Sequence, residues 1–453
     1  MAAGISTFFG LQTALRGLQA QQAGLNVTAH NIANADTVGY TRQNAQLEAV
    51  TGLKLNAGAL AGGAGAFLGG GVDVTAYRRA RDAFADLQYR TQSSVKGESS
   101  TTAQTLESVE LALNEPGENG ISTLLSRFWD SWQEVANHPE DAATKSALVV
   151  NAKALADGIK ALDAQLAQIQ AHAADEFTAL TSVGGDILAN AQTIARLNAD
   201  IKDAVMAGRQ PNELLDERDR LIDRLSELGQ VTVTELGNGS IQIAFGNVST
   251  PLLVDDETAW APTPPATTLY PTPSPGGIIG ALQTLSQPGG TLDTYRGQLD
   301  AFVNQLVTDV NTAHGAPFFD AGGLTASTIA VDAGIAANPS TVRTTNVVGS
   351  PEGANDVALA VAALRAGTAD RGYAGFVLKV GSESRDAQRR TAAAEAVVAA
   401  AMDRRSATSG VSLDEEMANM MRFQRGYQAS ARTMSTLDEM LDVLINRTGR
   451  VGL

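Results

Sequence analysis

The sequence predicts a mainly α-helical protein with a β-rich insertion: paired terminal coiled-coil helices, an elongated helical-bundle middle domain and a small outer β domain. Three observations carry that prediction. Apolar residues recur at gaps of three and four at both ends of the chain, the same helical period fills most of the middle, and the period changes to two at Val231.

At the first end, Phe8, Leu11, Leu15, Leu18, Gln22, Leu25, Ala29 and Ile32 form a heptad stripe, the pattern of a coiled-coil-like helix. At 1.5 Å per residue that helix is roughly 40 Å long. It stops at AHNIANADTVGYTRQ, residues 29–43, where asparagines and a turn replace the apolar run. Thr37-Val38-Gly39-Tyr40 has the form of a type II turn, whose third position needs φ > 0 and so takes Gly39. Asn31 and Asn34 lie at the helix end, where asparagine satisfies orphan carbonyls or adopts the left-handed conformation.

A glycine-rich stretch from Gly58 to Gly71 follows, then VDVTAYRRARDAFADLQYR, an alternating lead into a helix that runs past Ser100. Ile121, Leu125, Phe128, Trp132 and Val135 share one helical face, which ends at Pro139. Helical periodicity fills residues 141–208 and returns after Pro211, a residue suited to a first turn. From Val231, apolar residues alternate with Thr, Gly237-Asn238-Gly239 turns the chain, and Ile241, Ile243 and Phe245 alternate again, which reads as a hairpin.

Residues 262–275 hold six prolines and no periodicity, so an exposed loop is expected there. Helix returns from Gly280 to about His314, residues 317–350 are expected to add short strands to the hairpin, and residues 356–365 and 384–405 are helical again. In the last segment Leu413, Met417, Met420, Tyr427, Ala431, Met434, Leu437, Leu441 and Leu444 form a second stripe, opened by a capping box of Ser412 and Glu415. The two terminal stripes are candidates to pack on each other.

Composition narrows the function. A net charge of −16 and a pI near 4.7 argue against nucleic acid as a partner, because phosphate contacts need clustered Lys and Arg. The same balance, with no window of about eighteen consecutive apolar residues, argues against a membrane partner. No cysteine occurs, which removes thiol catalysis and Cys-based zinc sites. The N-terminus lacks the charged start and apolar core of a secretory signal, so export would need another route.

No catalytic constellation, metal site or cofactor site stands out. His30, His138, His172 and His314 lack the spacing that puts two imidazoles on one helix face, and each reads as a surface or satisfied histidine. GGAGAFLGGG, residues 62–71, has Leu68 where a dinucleotide fingerprint needs glycine, and reads as a flexible loop. Asp255-Asp256-Glu257 belongs to a loop, and Asp414-Glu415-Glu416 to a first helical turn that favours negative charge.

HNIANADTVGYTRQ resembles the N-terminal signature of the axial proteins of the bacterial flagellum, the rod, hook and hook-associated proteins, with Val38 where that family often has proline. GGGVDVTAYRRARDAF, PNELLDERDRLIDRLSEL and SGVSLDEEMANMMRFQRGYQASARTMSTLDEMLDVLIN resemble its hook-associated branch at the junction between hook and filament. The resemblance implies a secreted structural subunit of the extracellular flagellum, briefly cytoplasmic before export by the flagellar type III apparatus, and no enzyme. A hook or rod protein is the alternative, and an enzyme grafted on an axial scaffold a more distant one.

It further implies inner coiled-coil halves at residues 1–55 and 409–453, a helical middle domain from 56–230, 276–316 and 351–408, and a β-rich insertion from 231–275 and 317–350. The implied partners are other copies in a ring or helical lattice, hook protein, the next hook-associated junction protein and a cytoplasmic export chaperone. Leu11, Leu15, Leu18, Leu25, Ile32, Asn31, Asn34, Gly39, Tyr40, Arg42, Gln43, Leu441 and Leu444 are the candidate assembly residues. Met417, Met420, Tyr427, Met434 and Leu437 are candidates for both assembly and chaperone binding, a role suited to adaptable methionines. An isolated subunit is expected to bury only part of these stripes.

Overall fold

The computed structural model describes residues 8–55, 66–262, 269–272, 275–347, 349, 351, 353–443 and 446. Helix α1 (Phe9–Ala33) runs to the asparagine stop and carries Arg16 as its single permanently charged side chain. A long antiparallel ribbon follows: β1 (Gln43–Ala49) pairs with β4 (Val72–Arg79), and farther out β2 (Leu53–Leu55) pairs with β3 (Ala66–Leu68). β3 thus forms inside the glycine-rich stretch expected to be a loop; residues 58–65 of that stretch lie outside the described residues.

The middle of the chain is mostly helical. It contains α2 (Ala83–Leu113), α3 (Ile121–Asn137), α4 (Ala142–Thr181), α5 (Asp186–Met206) and α6 (Asn212–Leu228). A four-stranded antiparallel sheet then forms from β5 (Val231–Glu235), β6 (Ile241–Phe245), β7 (Val254–Asp255) and β8 (Thr258–Ala259) in sequential order. Helices α7 (Gly277–Ser286), α8 (Thr291–His314), α9 (Ala333–Ala337), α10 (Asp356–Ala362), α11 (Thr368–Ser409) and α12 (Leu413–Asp442) complete the order.

Two apolar cores hold this body together. In the larger, the expected face of α3 is buried, and Phe128 and Trp132 meet Phe318 and Phe319 at ring separations of 5.0–5.9 Å. The smaller joins α5 and α6 to β6 and β7 through Ile194, Leu225, Ile243, Phe245 and Val254. α2 and α11 lie antiparallel, since Asp86 meets Arg405 near one end and Glu110 meets Ser384 near the other.

Two expectations are corrected here. Residues 317–347 do not extend the hairpin: Phe318, Phe319, Ile329, Ile335 and Val342 belong to the larger core. Their strand-like pairing is a single bridge between Phe319 and Val331, and Asn311 of α8 holds the same backbone, donating to the Phe319 carbonyl and accepting from the Phe318 and Phe319 N–H groups. The proline-rich stretch is also not wholly exposed. Tyr270 is buried against Phe245 and Trp260, its hydroxyl donates to the Pro251 carbonyl, and burial pushes its pKa up to about 12.

Candidate assembly joint

The two terminal helices pack on each other, but not through the leucine stripe. Glycine recurs on α1 every seven residues, at Gly10, Gly17 and Gly24, and Asn31 takes the next step. A Cβ added at those glycines would come within 3.5 Å of Leu437, 3.3 Å of Ser430 and 2.6 Å of the Phe423 ring, and Asn31 itself bonds Glu416. Each step of seven forward on α1 is therefore met by a step of seven backward on α12, an antiparallel heptad register. Small side chains on α1 let the larger ones of α12 approach closely.

The leucine stripe lies one position beside that seam. Leu11, Leu18, Leu25 and Ile32 are half-buried, and Leu15 is 43% exposed. The expectation that this stripe forms the pairing surface is thus corrected, because glycine permits a closer axis-to-axis approach than leucine. On α12, Met420, Met434, Leu437 and Leu441 are half-buried, while Met417 and Tyr427 are exposed; Leu444 lies outside the described residues. The ribbon covers a third side of α1, where Arg16 donates to the Gly70 carbonyl and approaches Asp73.

At the base of the pair the residues of the stop signal converge. The Asn31 side chain is 1% exposed and fully engaged. Its amide donates to the Gln43 carbonyl at 2.9 Å and to Glu416 at 3.2 Å, and its oxygen accepts from the Tyr40 hydroxyl at 2.7 Å and the Gln43 N–H at 3.0 Å. Asn34 donates to the His30 carbonyl and accepts from Thr37. Gly39 adopts φ +84°, and the Tyr40 N–H closes the turn onto the Thr37 carbonyl at 3.1 Å.

Arg42 reaches the other terminal helix, with Glu415 at 2.9 Å and Glu416 at 2.8 Å, the second a charge contact without hydrogen-bond alignment. The Arg42 N–H also donates to the Ser409 carbonyl at the end of α11. Burial, followed by the charges of Asp216, Glu213 and Glu416, holds the Tyr40 hydroxyl well above the ordinary tyrosine range. It therefore serves as a neutral donor to Asn31.

The loop then docks on α6. The Thr41 N–H donates to Asp216 at 3.0 Å, and Gln43 exchanges side-chain bonds with Glu213 and Asn212. Behind it lies a lattice of charge in which the spacing of Asp216, Asp219 and Asp223 sets three carboxylates on one side of α6. Arg79 meets Asp216 at 2.8 Å and Asp219 at 2.7 Å. Arg81 pairs with Asp219 and Asp86, Arg90 with Asp219 and Asp223, and Arg405 with Asp86 and Asp223. Burial alone would raise the Asp219 pKa, but Arg81, Arg79 and Arg90 together hold it below its ordinary 3.8.

The structure thus gathers Asn31, Asn34, Gly39, Tyr40, Arg42 and Gln43 into one joint, and leaves the leucines of α1 half-buried or exposed beside it and Met417 exposed. Sequence reasoning missed Glu416, which it assigned to a helix dipole, and the partners Asp216, Arg79 and Arg405. The available signal was RRAR at residues 78–81, three arginines within four residues, with the carboxylates of DERDR at 216–220 as opposite charges. Among the described residues no group of His, Cys, Asp and Glu is placed to hold a metal ion, and no helix is long and apolar enough to cross a membrane.

Comparison with known proteins decides the family. Residues 106–323 match the family described as flagellar hook-associated protein FlgK helical domain, residues 11–41 the flagella basal body rod protein family, and residues 404–447 the flagellar basal body rod FlgEFG protein C-terminal family. A flagellar hook-associated protein 1 of Bacillus subtilis is 31% identical, over 98% of this chain and 99% of its own length. The chain belongs to the flagellar hook-associated protein 1 family.

A Salmonella typhimurium hook-associated protein 1 is 30% identical across 65% of this chain, a match spanning 53% of its own length. A solved structure titled as the flagellar hook junction protein FlgK from Burkholderia pseudomallei aligns with 52% of the chain and 46% of its own, at 23% identity and a TM-score of 0.45. Hook-associated protein 1 relatives are structural proteins, and this chain is a structural, axial component of the flagellum rather than an enzyme.

Proposed function

We propose that the chain is the subunit that joins hook to filament, secreted through the flagellar type III apparatus into the extracellular flagellum and assembled there through its terminal helices. One observation carries this reading. After α1 and α12 have paired through small residues, Leu11, Leu15, Leu18, Leu25 and Ile32 still present a half-exposed stripe. Each such side chain fully buried contributes about 1.5–3 kcal/mol, so neighbouring copies that cover the stripe gain what the isolated subunit forgoes. Copies related by a helical or ring operation meet through two different surfaces, which leaves one end for hook protein and the other for the next hook-associated protein.

On α12, Met417, Met420, Tyr427, Met434 and Leu437 have the second role of docking on an export chaperone before assembly. Unbranched methionines accommodate successive partners of different shape, and Met417 stands exposed. Together with Leu441 they then close the inner pair, and the helical middle domain stands outside it.

The terminal matches to rod protein families favour a hook or rod protein as the second reading. Electron microscopy of a strain lacking the gene separates the two. Hooks without filaments, with flagellin lost to the medium, are expected; absent hooks would move the chain to the rod or hook, and normal flagella would overturn both readings.

A further inference from the structure

The terminal pair joins the rest of the chain through two connectors, the 34–42 loop, which leads from α1 into the ribbon and docks on α6 along its way, and the 410–412 link before α12. Both end on the same charge lattice. The loop is tied by the Thr41 N–H to one oxygen of Asp216, whose other oxygen is held by Arg79. The link follows directly on α11, whose Arg405 is held by Asp86 and Asp223. Between these grips run continuous ion pairs, from Arg79 to Asp219, Asp219 to Arg90, and Arg90 to Asp223. Arg79 also belongs to β4, whose ribbon lies along α1.

We propose that Asp216 is a positioning residue, which sets the direction in which the terminal helix pair leaves the middle domain. Two short connectors alone would allow the pair to pivot about them. A carboxylate fixed on one side by the largely buried Arg79 guanidinium, and on the other accepting from the loop backbone, removes that freedom. Its position matters beyond stability, because copies that present their outer stripes at different angles cannot share one lattice; to that extent the inference rests on the assembly reading above.

The test uses the full chain, which has no cysteine of its own. Gln192→Cys on α5 and Ser435→Cys on α12, both exposed, take spin labels, and pulsed dipolar spectroscopy reads the distance distribution in the free subunit. The expected result is one narrow peak in the parent and a broad distribution in Asp216→Ala, while far-ultraviolet dichroism shows the helices retained. Asp216→Asn keeps the acceptor for Thr41 and loses the charge for Arg79, so it falls between the two and serves if the alanine variant does not fold.

Asp163→Ala is the control. It removes a carboxylate as buried as Asp216 from its pair with Arg296, inside the middle domain, and leaves the peak narrow. A distribution equally narrow in both Asp216 variants, equally broad in Asp163→Ala, or already broad in the parent would overturn the proposal. The distance is measured without any flagellum, so this outcome is independent of the deletion phenotype.

Discussion

At the scale of single residues, Asn31 and Gly39 show how a short polar stretch becomes a structural corner. Removing the Asn31 amide leaves the Gln43 N–H and carbonyl without their partners in a buried site, at about 1–3 kcal/mol for each orphaned group. Asn31→Ala should therefore lower the thermal midpoint of the terminal helices, followed by dichroism. Gly39→Ala places a Cβ at φ +84° and 3.4 Å from Arg220, a conformation that costs an L-residue about 1–2 kcal/mol. It should impair motility more than it lowers the melting temperature of the middle domain.

His314 gives a prediction of another kind. It is buried, with Nδ1 on the Ala316 carbonyl and Nε2 accepting the Arg343 N–H, so the ring is bonded as the neutral form. Burial holds its pKa below the ordinary 6.5 even though the bond to Ala316 acts in the opposite sense. A lowered folded value means the unfolded chain takes up the proton first, so stability is full above pH 6.5 and falls as the pH drops below it. Denaturant titrations of wild type and His314→Gln should converge as the pH is lowered.

At the scale of elements, α6 organises more of the molecule than its pattern suggested. Asp219 touches Arg79, Arg81 and Arg90, and its loss would leave each of these largely buried guanidiniums with one carboxylate fewer, a change that approaches the roughly 3–5 kcal/mol of a broken buried pair. Asp219→Ala should show that loss in urea melts near neutral pH. Because the folded pKa of Asp219 is depressed below 3.8, its contribution is present above that value and disappears as the pH falls through the folded pKa.

Helix existence was legible in the sequence because period and caps are local signals, as with Ser412 accepting from the Glu415 N–H. The seam between α1 and α12 was not. Counting large apolar residues selects the leucine stripe, whereas close packing selects Gly10, Gly17 and Gly24, which a hydrophobic pattern ignores. Gly24→Leu, which drives a side chain into Phe423, should separate the pair and leave the middle domain folded, as limited proteolysis of the termini would report.

At the scale of the whole molecule, the expected order of helices, sheet and helices holds, with mostly helical structure and small antiparallel sheets. The fate of residues 317–347 was not legible, because a short aromatic segment such as Phe318-Phe319 pairs as readily with a helical core as with a strand. Its backbone is held in part by Asn311, a single side chain some seven residues away in sequence. The joint was legible as a location and not as a circuit, since Asp216 and Glu416 come from distant parts of the chain.

Helix α1 has a further consequence, which follows from its single permanent charge at Arg16. The chain as a whole carries −16, and many such chains drawn toward a common axis would repel one another most strongly where they are closest. A nearly uncharged α1 escapes that penalty. If copies meet through its leucines, as proposed above, those contacts should hold almost equally well in dilute and in concentrated salt.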